Sequence, residues 1–256
     1  MNDPNPIPPQ IPGVTPTPVP PIPPAPPPVA EALEQQPIAG CFAAVEALLR
    51  QPRRVVGHLH QHRAAAVIDV LLVTTLVCGL IYGFVAGTFS GGTQLWAAPV
   101  KVALGLLLSG LICLPSLYIF SCLAGSHARL VEVLGLVAGL LALMAVLLLG
   151  FAPVAWVFSQ STESVAAMGA LHLVFWLVAA IFGVRFLCAG FRQLGVQSLG
   201  GVSVWVAILL VVMLQMMTAL RPIVGKADTF LPTEKKFFAS HWLQCLRGEE
   251  PDKGRH

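Results

Sequence analysis

Five stretches without a charged side chain, each long enough to cross a bilayer, follow one another between Val70 and Leu220. A hydrocarbon core of about 30 Å needs about 20 apolar residues of helix. Val70 to Phe89, Val102 to Ala128, Val133 to Thr162, Ser164 to Val184 and Gln193 to Leu220 all reach that length. The expected fold is therefore all-α, a polytopic transmembrane helical bundle of about five spans. Composition excludes the soluble alternatives. With 56% hydrophobic and 11% charged residues and a mean hydropathy of +0.78, the chain lies far from the soluble balance of about 25% charged. The net charge of +3 is spread over short loops and a tail, not gathered into the basic face that a nucleic acid requires. A basic edge beside lipid headgroups is the better reading.

The chain divides into four parts. Residues 1–37 form a proline-rich tail, with 14 prolines in the first 30 residues. Proline lacks the backbone N–H and fixes φ, so this run is expected to be disordered, extended and rich in polyproline II. Pro6 to Pro9, Pro18 to Pro21 and Pro21 to Pro24 have PxxP spacing, which aromatic grooves of partner proteins recognise. The plainer reading is a solvated spacer. No basic start followed by an apolar core and a small-residue cleavage site is present, so no secretory signal peptide is expected. Residues 38–64 form a basic juxtamembrane segment. Ile38, Phe42, Val45, Leu48 and Leu49 recur at helical spacing, which predicts an amphipathic helix at the membrane surface ending near Pro52. Arg50, Arg53 and Arg54 are its interfacial anchors. Residues 65–222 hold the spans, at about 66–89, 99–125, 130–152, 165–187 and 202–221. Residues 223–256 form a tail whose Phe237, Phe238 and Trp242, beside Lys235 and Lys236, predict a second interfacial helix.

Within the spans, packing residues are the clearest motif. Gly79, Gly83 and Gly87 stand at four-residue spacing, so three glycines share one helix face and let another helix approach closely. Gly135 and Gly139 repeat the device in span three. Packing inside the bundle is the main expectation, and a homo-oligomer face is the sharper alternative. Pro115 lies inside span two and predicts a kink, with Ser109, Ser116 or neighbouring helices satisfying the freed carbonyls. Interrupted helices build transport sites in some carriers, although no matching interruption marks a second half here.

Charge is confined to the span ends. Asp69, Glu132 and Arg185 should cluster at one membrane face, where Asp69 or Glu132 can pair with Arg185 or Arg129. Lys101 and His172 fall toward the other face, and Lys101 is expected to snorkel to water. The first and third loops carry no Lys or Arg, whereas Arg129, Arg185 and Arg192 occupy the second and fourth. That asymmetry sets the N-terminus inside, although the basic C-terminal tail runs against an outside location for a fifth span. His58, His60 and His62 could suggest a metal, but no further ligands accompany them, and headgroup-facing histidines are expected. Six scattered cysteines form no CxxC, and no GxSxG, HExxH or paired-carboxylate pattern appears. No catalytic, cofactor or metal residue is nominated, and the protein is not expected to be an enzyme.

The order of parts, with ALLRQPRRVV before the first span and about five closely spaced spans, resembles the Yip-type, Rab-interacting-protein-like family of multi-pass membrane proteins. The stretches KVALGLLLSGLICLPSLYIFSCLAGS and QMMTALRPIVGKADTFLPTEKKFF are similar to an uncharacterised bacterial branch grouped with that family. The resemblance runs from about Gly40 to Phe238 and carries no catalytic residues. It implies an integral membrane scaffold or adaptor, acting by partner binding or membrane organisation. The expected location is a bacterial inner membrane, with the N-terminus cytoplasmic and the lipid bilayer and proteins engaging the proline-rich tail as partners. The rival is a small channel or transporter using the kinked second span.

Overall fold

The computed structural model describes residues 40–59, 64–90, 94–126, 128–162, 164–196 and 200–219. The expectations for the 1–37 tail, and for Phe237, Phe238 and Trp242 in the 223–256 tail, lie outside these residues. All regular structure among the described residues is helical: α1 (Cys41–Arg50), α2 (Pro52–Leu59), α3 (Ala64–Ser90), α4 (Gln94–Leu123), α5 (Leu130–Ser161), α6 (Val165–Gln193) and α7 (Gly200–Ala219). An apolar chain in lipid must satisfy its backbone within each segment, and helices do so.

Four helices are long and apolar enough to cross a membrane: Ala64–Phe89, Leu95–Leu123, Leu130–Ser161 and Ala167–Gln193. This is an integral membrane protein. The fifth span, expected at about 202–221, corresponds to α7, of which Gly200–Gln215 is an apolar stretch. Gly195 adopts φ +79°, and its N–H donates to Arg192 O while Val196 N–H donates to Phe191 O. That pair of bonds is a left-handed glycine stop. It ends α6 before α7 begins at Gly200. The same device ends α4, where Gly125 (φ +79°) donates to Cys122 O and Ser126 to Ser121 O.

Two prolines expected at span boundaries lie inside helices. Pro99 sits in the second turn of α4, and α5 runs through Pro153 to Ser161. A proline removes one helical hydrogen bond, and without water to compete for the others the helix continues.

α5 forms the centre of the bundle. It packs against α3, α4 and α6 and also touches α1 and α2, with a buried face running from Val133 to Ala155. α7 lies mainly on α4. α1 docks on the bundle through Ala44, Ala47 and Leu48. Phe42 is 95% exposed, and Leu49 is exposed as well. Alanines let α1 come close to α3 and α5, which larger side chains on that face would prevent.

Candidate functional site in a buried polar layer

The α3–α4 seam fixes the depth of everything else. A Cβ added at Gly83 would stand 2.5 Å from Pro99 Cα and 2.9 Å from Ala98 O, and one at Gly79 would stand 3.3 Å from Ala103 Cα. Backbone therefore meets backbone, as the glycine spacing predicts; Gly87, one turn further on, is buried too. Continuing this antiparallel register sets Asp69 at the depth of Cys113.

The α5–α6 seam works differently. Gly139 faces the ring of Phe186, Gly190 faces Leu136, and Gly183 faces Met144 and Leu140. Further along, the rings of Phe151 and Phe175 stack 4.7 Å apart. This register sets Arg185 at the depth of Leu141. Gly135 has another neighbour, the Leu59 side chain of α2.

Tyr82 of α3 and His172 of α6 join the two registers, with Oη and Nδ1 2.6 Å apart and the rings edge to face. Asp69, Cys113, Leu141 and Arg185 thus share one depth to within a turn. From there to the far ends of α3, α5 and α6 is about 30 Å at a helical rise of about 1.5 Å per residue, the thickness of a hydrocarbon core. Trp96 and Trp156 are exposed near the far ends, where interfacial aromatics belong. Arg53, Arg129, Arg185 and Arg192 are all exposed, and Arg129, Arg185 and Arg192 stand at or beyond the Asp69 depth. Arg54 is half-buried, and Arg50 pairs with Glu46 at 3.5 Å on the surface of α1.

Tyr82 and His172 were not nominated from the sequence, because each is a lone polar residue in an apolar run. The usable signal was that both sit at a similar distance from the ends of their spans that lie away from Asp69. The Tyr82 hydroxyl is buried, and its described partner is Nδ1. Which of the two groups donates in this bond is set by the imidazole tautomer. His172 Nε2 and the Nε1 of Trp176, one turn along the same face of α6, each have under 1 Å² accessible to water and no hydrogen-bond partner. Trp176 is only 4% exposed. A buried donor without an acceptor costs about 1–3 kcal/mol.

Other expectations change in detail. Lys101 does not snorkel: its side chain is 3% exposed and held within the protein. His58 is buried rather than headgroup-facing, while His60 and His62 lie outside the described residues. No metal-ligand cluster occurs among the described residues. Glu132 is buried, and its carboxylate accepts the Arg129 backbone N–H at 2.9 Å. It thus caps the start of α5, where a negative charge opposes the helix dipole. Asp69 is exposed. Pro115 is exposed in a helix that continues to Leu123. Around it, Ser116 donates to Cys113 O at 2.8 Å. The buried Trp205 indole donates to Cys113 O at 2.9 Å and to Ser116 Oγ at 3.0 Å, which fastens α7 to α4. Ser109 donates to Gly105 O one turn above.

Compared with known protein families, curated proteins and solved structures, the chain matches none.

Proposed function

We propose that the protein is a membrane scaffold or adaptor that works by binding partners and organising the bilayer around it. The supporting observation is the position of α5. An apolar helix, with residues buried from Val133 to Ala155, fills the axis of the bundle that a channel would need for water. The rival transport reading relied on Pro115. That proline faces outward, and the polar groups beside it are engaged by Trp205 and Ser116.

The exposed arginines at the Asp69 end suit the anionic headgroups of a cytoplasmic leaflet. This favours a bacterial inner membrane with the N-terminus inside, and it leaves the proline-rich segment free to meet protein partners. The Yip-type resemblance agrees with such a role and supplies no small-GTPase partner.

The test uses full-length protein in liposomes together with affinity co-purification from cells. No flux is expected across a broad panel of ions and solutes, and deleting residues 1–37 should remove specific co-purifying proteins. Flux that Pro115→Ala abolishes would overturn the proposal in favour of a channel or carrier.

A further inference from the structure

The outer half of α6 carries a conflict that the inner half does not. From Gly183 to Gly190 this helix is pinned to α5 by interlocked contacts: Gly183 against Leu140 and Met144, Phe186 against Gly139, and Gly190 against Leu136. Toward its other end Met168, Phe175 and Trp176 are still buried, but residues 169–173 are only half-buried. Gly169 has nothing within 4 Å of where a Cβ would stand. The Phe151–Phe175 stack and the Tyr82–His172 bond hold this half, and the bond reaches from α3, with α5 as the helix that packs against both. Beside these attachments lie His172 Nε2 and the Trp176 indole N–H, neither of which has a hydrogen-bond partner. Both atoms are buried in the packed bundle. A buried polar group left unpaired beside lipid is relieved by movement that brings it an acceptor.

We propose that the packed bundle is the closed member of a pair of arrangements, in which the outer half of α6, from Met168 to Trp176, swings away from α3 and α5. The glycine-locked inner half is the pivot, and the Tyr82–His172 bond is the clasp. Opening hydrates His172 Nε2 and Trp176 Nε1 from the outer face and creates a pocket there lined by an imidazole nitrogen, an indole N–H and a phenol. Such a local opening draws on the least strongly held part of a structure.

Hydrogen–deuterium exchange of the full chain in lipid nanodiscs tests this, read by mass spectrometry over the two halves of α6. In the wild type the outer half should exchange faster than the inner half and faster than the facing part of α5. Trp176→Phe keeps a buried aromatic ring and deletes one orphan donor, so it should slow exchange of the outer half about tenfold, the change expected from relieving one unpaired donor. Tyr82→Phe releases the clasp and should speed exchange there, leaving residues 183–190 unchanged. The proposal is overturned if Trp176→Phe leaves the outer half unchanged or speeds its exchange, because the indole would then have a partner in the packed state. Equal protection of the two halves in the wild type overturns it as well. The Trp176→Phe result stands by itself if Tyr82→Phe fails to fold.

Discussion

Glycines serve two seams of this bundle in opposite ways. Between α3 and α4 they remove side chains so that two backbones touch, with Gly83 against Pro99 Cα and Ala98 O. Between α5 and α6 they form sockets that receive side chains, with Gly139 under the Phe186 ring and Gly190 under Leu136. Lipid tails are as apolar as leucine, so close packing and hydrogen bonds, not the hydrophobic effect, hold membrane helices together. A backbone contact cannot yield without moving a whole helix, whereas a side chain in a socket can rotate. The first kind of seam should be rigid and intolerant, and the second adaptable.

Gly83→Ala should therefore have the largest effect. The new methyl would meet backbone atoms at 2.5 to 3.0 Å, so α3 and α4 must separate. A net loss of about 2–3 kcal/mol is expected, after the small gain in helix propensity from alanine. Gly79→Ala, one turn away in the same motif, meets Ala103 at 3.3 Å and should cost less than about 1 kcal/mol. Unfolding in mixed micelles with rising SDS, followed by circular dichroism, measures both. Equal losses at the two positions would mean that the motif acts through something other than backbone approach.

These seams show how far the sequence can be read. The four-residue glycine spacing marked the close-approach face of α3, though not α4 as the helix that meets it, because close approach is a local property of one helix face. The same spacing at Gly135 and Gly139 said nothing about their partners: one faces Leu59 of α2 and the other Phe186 of α6. Those partners are set by how distant helices pack. The spans were legible from hydropathy, but α5 ran on past Pro153 because proline stops a helix in water more readily than in lipid. Gly195 already fell between the spans expected at 165–187 and 202–221, but the left-handed turn by which it ends α6 leaves no mark on hydropathy. Tyr82 and His172 are separated by 90 residues, and only the register of three helices brings them together.

Gly139→Ala tests the socket side of the comparison. The added methyl would stand 2.5 Å from Cε1 and 2.7 Å from Cζ of Phe186, the far end of a ring that can tilt aside. Part of the strain is offset by helix propensity, so a loss of about 1 kcal/mol is expected. Removing the ring as well, in Gly139→Ala with Phe186→Leu, should recover part of that loss, and the double-mutant cycle reads the coupling directly. A Gly139→Ala loss as large as that of Gly83→Ala would erase the distinction between the seams.

Gly150→Ala should have the smallest effect, with the opposite sign. This residue lies in α5, is exposed, and has nothing within 4 Å of an added Cβ. It belongs to neither seam. The substitution then changes only the backbone's own preference, for which alanine exceeds glycine in a helix interior by about 1 kcal/mol in water. In lipid the gain should be smaller, about 0.5 kcal/mol, because the unfolded reference in a membrane is already helical and little backbone freedom remains to be lost. Stabilisation of that size in the same SDS titration would show that glycine in this bundle is costly wherever no neighbour needs it, so the seam glycines are kept for contact and not for flexibility. Destabilisation would instead reveal a partner for this face of α5, either lipid ordered against it or a second copy of the chain, and crosslinking of Gly150→Cys in the membrane would tell the two apart.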